Sequence, residues 1–82
     1  MTLQYHPNDE IYIPQQGPSL LSMSYYAEHS KEIACPCKYR NLKAIVVKTQ
    51  GNFVYVRIPT ENIITAFHVS DIRLINKGSY DD

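Results

Sequence analysis

The sequence predicts a mostly β domain, and three observations predict it. Leu42 to Ile75 reads LKAIVVKTQGNFVYVRIPTENIITAFHVSDIRLI, a stretch dense in β-branched and aromatic residues. Such side chains suit a pleated, half-buried surface. Turn signals cut this stretch at strand-length intervals: Gln50-Gly51-Asn52 and then Pro59-Thr60-Glu61-Asn62. Glycine supplies positive φ at a hairpin tip, and Pro59 has no N–H for a ladder, so it belongs at a strand end. Finally, loop lengths and faces agree. A two-residue loop at Gly51-Asn52 sets Val47 opposite Val56 and Ile45 opposite Ile58, and a loop at Gln50-Gly51 keeps the same faces in another register, so the register stays open. A four-residue loop over Pro59 to Asn62 brings Ile63, Thr65 and Phe67 onto the face of Ile58, Val56 and Val54. One face then becomes almost wholly apolar, as a core face must. The opposite face carries Val46, Lys48, Phe53, Tyr55, Arg57, Ile64, Ala66 and His68. It is either a binding face or one covered by the remaining chain over the stems of its basic residues.

Taken in order, residues 1–8 are expected to be an N-terminal arm, 9–76 a single domain, and 77–82 a short acidic tail. Pro7-Asn8-Asp9 signals a turn into a first strand, in which Ile11 and Ile13 face the core and Tyr12 faces away. Pro14 to Pro18 ends that strand, because two prolines and a glycine suit neither ladder nor helix. For Ser19 to Ala34 two readings stand. Ser19 caps a short helix with Leu20, Met23 and Ala27 along its inner side, or the segment is a long loop with a short strand at Glu32 to Cys35. After Phe67, Ser70 and Asp71 favour a turn, and a last strand carries Ile72 and Leu74 on one side.

This order resembles the SH3-like small barrels, including the KOW and Tudor-type domains. Asp9 to Pro14 is similar to their opening strand, Ala44 to Lys48 and Phe53 to Ile58 to their central hairpin, and Phe67 to Leu74 to their short helical turn and closing strand. The resemblance implies a five-stranded small barrel with a long loop or short helix between strands 1 and 2. It covers about half the chain. Such barrels serve nucleic-acid binding, peptide binding and toxin functions, so the likeness alone selects no function.

Eighty-two residues allow one modest core, and a formal net charge of zero with 44% hydrophobic residues argues against wholesale disorder. No apolar run is long enough to cross a bilayer, and no basic start precedes an apolar segment, so the expected compartment is the cytoplasm and no membrane partner is expected. Cys35-Pro36-Cys37 is no disulfide framework, and two reduced thiols are expected there. His29, Cys35 and Cys37, with His68 or His6, invite a metal reading, but the Cys-x-x-Cys knuckle of zinc sites is missing and no metal or other cofactor is expected. No Gly-rich phosphate loop, paired carboxylates or nucleophile–base signature appears, so the chain is not expected to be an enzyme.

What remains is surface. Seven tyrosines without a tryptophan is a heavy load for this length. Tyrosine suits interfaces because its ring buries area while its hydroxyl keeps a hydrogen bond. The expectation is a non-catalytic binding module, a small accessory, regulatory or inhibitor protein acting through protein–protein contacts by Tyr25, Tyr26, Tyr39, Phe53, Tyr55 and Arg57. The alternative is a nucleic-acid-binding barrel in which Lys38, Arg40, Lys43, Lys48 and Arg57 neutralise phosphate and Tyr39 or Tyr55 stacks a base. A second alternative is a protein that binds a small nucleotide-like ligand. Exposed strand edges also admit a homodimer.

Overall fold

The computed structural model describes residues 5–77. Five strands form one antiparallel sheet: β1 (Glu10–Ile13), β2 (Leu42–Gln50), β3 (Phe53–Ile58), β4 (Ile63–His68) and β5 (Arg73–Asn76). Their order across the sheet is β4-β3-β2-β1-β5. A helix α1 (Leu20–Glu28) and a 3-10 turn (Pro36–Lys38) lie between β1 and β2, and a second 3-10 turn (Val69–Asp71) precedes β5. The helical alternative for the segment after Ser19 is the one realised, and no strand forms at Glu32 to Cys35.

Both predicted hairpins form. Gln50 pairs with Phe53 across Gly51-Asn52, and Gly51 has φ 62°. Ile58 pairs with Ile63 across the four-residue loop, where Asn62 takes φ 56° and its N–H reaches the Ile58 carbonyl at 2.7 Å. Asparagine tolerates this left-handed conformation better than most residues. Val54, Val56, Ile58, Thr65 and Phe67 are all buried on one face, as the pattern predicts.

The register of β2 differs. Lys48 pairs with Tyr55, but Val46, not Val47, pairs with Val56, and Ile45 pairs with Arg57. One extra residue in β2, a bulge at Val47, shifts everything N-terminal to it by one place. Because side chains alternate, that shift exchanges the two faces. Ala44 and Val46 enter the core, Ile45 moves to the outer face, and Val47 is 40% exposed.

The main core gathers Ile11 and Ile13 from β1, Ala44 and Val46 from β2, Val54, Val56 and Ile58 from β3, Phe67 from β4, and Ile72 before β5. Leu74 packs against it. Among the described residues β4 and β5 are not paired with each other, so the sheet is open and not closed into the expected barrel. The arm expected over residues 1–8 is not free along its described part. Tyr5 is only 5% exposed and belongs to this core, and the Asn8 N–H donates to the Val46 carbonyl at 2.8 Å. The acidic tail lies, beyond Lys77, outside the described residues.

Helix α1 uses a different stripe from the predicted one. Leu20 is 83% exposed and Leu21 and Ala27 are exposed too, whereas Ser22 is buried and Tyr25, Tyr26 and His29 are half-buried. These positions follow the i, i+3, i+4, i+7 spacing of a helix face. A buried serine needs partners, and Ser22 has two. Its hydroxyl donates to the Asp71 carboxylate and accepts from the His68 N–H at 2.8 Å. The same carboxylate oxygen accepts from the Ser19 N–H at 3.0 Å and the Ser19 hydroxyl at 2.8 Å. Ser19 occupies the N-cap position, but its side chain makes no capping bond to the helix; Asp71, from the far end of the chain, satisfies this end instead.

Candidate aromatic interface

Helix α1 lays its aromatic stripe over the outer face of β3 and β4. Ile33, Tyr55 and Ala66 form a second, small core there, with Tyr25, Tyr26 and Ile64 packed against it. The connection that follows is fastened along β4: the Ala34 N–H donates to the Ile64 carbonyl at 2.9 Å, and the Thr65 hydroxyl donates to the Ala34 carbonyl at 2.8 Å.

Tyr25 is the centre of the cluster. Its ring stacks on His29 (centroids 3.9 Å apart, planes 18° apart) and on Phe53 (4.0 Å, 18°). Two stacked neighbours at that spacing require both faces of the ring, so Tyr25 is sandwiched. Tyr55 meets it edge-on at 6.1 Å, and the two tyrosine hydroxyls are hydrogen-bonded at 2.6 Å. His68 stands edge-on to Phe53 at 5.3 Å, and the Lys48 ammonium sits 4.7 Å from the Tyr55 ring centroid. The two edge-on contacts are geometries that the ring quadrupole favours, with a cation–π contact at the margin.

Burial first, and then the hydrogen bond to Tyr55, push the Tyr25 hydroxyl far above the usual tyrosine range. It stays protonated at neutral pH and is no base. His29 Nδ1 lies 2.8 Å from the Tyr25 carbonyl, which can only accept, so this nitrogen carries the proton. His68 Nδ1 accepts from the Ser70 N–H at 3.1 Å, so its proton belongs on Nε2. His29 Nδ1 is held on the Tyr25 carbonyl, and His68 Nδ1 lies 2.8 Å from the Ser70 hydroxyl within a local turn. The arrangement packs aromatic and imidazole rings together at a half-buried surface.

Of the six residues expected at a protein interface, Tyr25, Tyr26, Phe53 and Tyr55 come together. Tyr55 is only 5% exposed and supports the others from beneath. Arg57 is exposed and projects from the same sheet face two residues beyond Tyr55. Tyr39 is not part of this surface. It is 3% exposed within the main core, and its hydroxyl donates to Glu61 at 2.9 Å. Its alternative role as a base-stacking ring is removed by the same burial.

The five basic residues of the nucleic-acid alternative divide. Lys43, Lys48 and Arg57 fall on the outer face of the sheet, in register with Tyr12, Tyr55 and Ile45 respectively. Arg73 is paired with Tyr12 and joins that face. Lys38 and Arg40 sit instead in the loop after Pro36, where the Arg40 guanidinium donates to the Cys37 carbonyl at 3.4 Å. Lys43 lies 4.0 Å from Glu10 in an exposed pair that contributes little to stability.

The thiol expectation is corrected outright. Cys35 and Cys37 are joined as a disulfide, with Cα atoms 5.4 Å apart. The turn through Pro36 brings the two side chains together. Bonded sulfurs supply no thiolate, and among the described residues no three His, Cys, Asp or Glu side chains are grouped to hold a metal ion. No helix among the described residues is long and apolar enough to cross a membrane.

From sequence, His29 and His68 stand out only as metal candidates, Asp71 only as a turn residue, and Ser22 not at all. The Tyr25–His29 pair was visible as an i, i+4 aromatic spacing. Asp71 signals its turn locally, but nothing local signals its bonds to Ser19 and Ser22, which lie about fifty residues away. No protein-family model, curated protein or solved structure matches the chain.

Proposed function

We propose that the chain is a non-catalytic binding module, a small accessory, regulatory or inhibitor protein acting through protein–protein contacts in the cytoplasm. One observation carries this reading: the half-buried Tyr25–Phe53–His29 stack, with Tyr26 beside it and exposed Arg57 on the same sheet face. Aromatic rings that are already locked lose little side-chain freedom on binding, and arginine and tyrosine are enriched among the anchors of protein interfaces. The scaffold is read as an SH3-like small barrel. The order β4-β3-β2-β1-β5, the 3-10 turn before β5 and a core fed by every strand support that reading.

The test is affinity capture from native lysate, with and without nuclease, at low and moderate salt, comparing the chain with Tyr26→Ala and Arg57→Ala variants. A discrete protein partner that survives nuclease and salt, and binds each variant roughly tenfold more weakly, is the expected result. A partner held equally well by both variants refutes the site assignment.

A nucleic-acid reading is the second choice, favoured by Lys43, Lys48, Arg57 and Arg73 gathered on one sheet face beside Tyr12. Recovery of nucleic acid alone, lost steeply as salt rises, selects it.

A further inference from the structure

We propose that the Cys35–Cys37 disulfide is a thiol–disulfide exchange site, attacked by an external thiol at the Cys37 sulfur. Three independent observations meet here.

The first is presentation. Pro36 is fully buried while Cys37 is exposed and Cys35 half-buried. The proline anchors the turn in the protein and leaves Cys37 facing solvent. Access is one of the determinants of exchange rate.

The second is charge. Lys38 and Arg40 follow at once, both exposed, and Arg40 is hydrogen-bonded to the Cys37 carbonyl. From Ile33 to Ile45 the chain carries Lys38, Arg40 and Lys43 and no carboxylate. Glu61 reaches this loop from elsewhere and keeps its charge, accepting the Tyr39 hydroxyl at 2.9 Å, so the three cations outnumber it. Adjacent cations lower thiol pKa values, and a leaving thiol of lower pKa departs faster.

The third is redundancy. A bond across a single residue removes little chain entropy from the unfolded state, because that effect grows with loop length. The turn has its own supports. The Lys38 N–H donates to the Cys35 carbonyl at 3.3 Å and the Tyr39 N–H to the Pro36 carbonyl at 3.1 Å. Ala34 is tied to Ile64 and Thr65, and Tyr39 is buried. A purely structural staple would sit where the fold needs one. This bond sits where the fold is already fastened, so it opens without unfolding the domain.

The reaction balances with a small monothiol as the named co-reactant. Its thiolate attacks Cys37 Sγ, forming a mixed disulfide as the Cys35–Cys37 bond breaks. The Cys35 thiolate leaves and takes a proton from water. A second thiolate attacks the sulfur of the first thiol in the mixed disulfide, which releases the Cys37 thiolate. Two thiols are oxidised to their disulfide, and the protein disulfide is reduced to two thiols.

The test uses the full chain, folded, at pH 7 and without air. Equilibrate it in a series of reduced-to-oxidised glutathione ratios, quench with acid, alkylate with N-ethylmaleimide, and weigh the intact protein. The expected result is complete interconversion between unalkylated and doubly alkylated chain across the series, with native far-UV circular dichroism throughout. In stopped reactions with oxidised glutathione, Cys35→Ser should acquire glutathione at Cys37 about fivefold or more faster than Cys37→Ser acquires it at Cys35. Lys38→Gln with Arg40→Gln should slow the reduction of the native disulfide about threefold. A disulfide that resists every ratio until denaturant is added overturns the proposal. So do two free thiols in chain equilibrated with oxidised glutathione alone. Equal rates at the two sulfurs overturn the assignment of attack to Cys37.

Discussion

Replacing Asp71 with alanine tests how the aromatic surface is held in place. The Asp71 carboxylate accepts the Ser19 N–H, the Ser19 hydroxyl and the Ser22 hydroxyl. Hydrogen bonds to a charged acceptor contribute about 1.5–3 kcal/mol each, and loss of a helix cap alone costs about 0.5–2 kcal/mol. The three bonds share one acceptor and are not additive. Asp71 and Ser19 are also half-exposed, so water replaces part of what is lost. Only Ser22 is left fully buried with its donor unpaired, at about 1–3 kcal/mol. A total loss of about 2–4 kcal/mol is therefore expected. For a domain of this size it lowers Tm by roughly 10–25 °C. Urea unfolding at pH 7, followed by far-UV circular dichroism and by tyrosine fluorescence, measures it. Asp71→Asn keeps an acceptor oxygen but loses the charge, and should fall between alanine and the native chain. A loss below about 0.5 kcal/mol for Asp71→Ala, the range of ordinary surface substitutions, would refute the argument that this carboxylate fastens α1 to the sheet.

Two more predictions address the register and the tyrosines. The bulge at Val47 predicts that Val46→Thr, which buries a hydroxyl, costs about 1–2 kcal/mol, whereas Val47→Thr changes stability by less than about 0.5 kcal/mol; denaturant midpoints showing the reverse order would restore the uninterrupted register. Burial raises the hydroxyl pKa values of Tyr25, Tyr39 and Tyr5, with hydrogen bonds to Tyr55 and Glu61 adding to the first two and the charge of Asp9 to the third. Folded values above the unfolded one mean that this contribution to stability is complete below about pH 10. It is lost as pH climbs from there through the folded values. An ultraviolet titration should therefore show a late-ionising class of tyrosines that merges with the rest on unfolding, and a single class near the ordinary value in the folded chain would contradict it.

Local chemistry was legible and long-range chemistry was not. Gly51-Asn52 and Pro59 to Asn62 each announced a turn in residues adjacent in sequence, and both loops form at the predicted lengths. The bulge was invisible because IVV offers an apolar residue to either face. Only the pairing with β3 decides that Val46 goes inward. Helix α1 misled for a related reason. Leu20 and Leu21 are more apolar than Ser22, yet Ser22 is buried because Asp71 and the His68 backbone supply its hydrogen bonds. Tyr25, Tyr26, Phe53 and Tyr55, singled out by residue type, lie together in the fold, whereas Tyr39 lies in the main core: nothing local foretells that Glu61 takes its hydroxyl. Cys35-Pro36-Cys37 carried too little sequence context to reveal that its turn joins the sulfurs.

The fastening of the long β1–β2 connection along β4 has a consequence for growth. A strand at the end of a sheet can template another strand, and a subunit with two such ends can add neighbours without limit. Here the β4 end is occupied at both extremities, by Ala34 on the Ile64 carbonyl and by Ser22 on the His68 N–H. Among the described residues, the end left for pairing is β5, only four residues long. Two copies joined there would each present an occupied β4 outward. The bonds already made at Ile64 and His68 leave less of that edge to template a further strand, which disfavours growth beyond the pair.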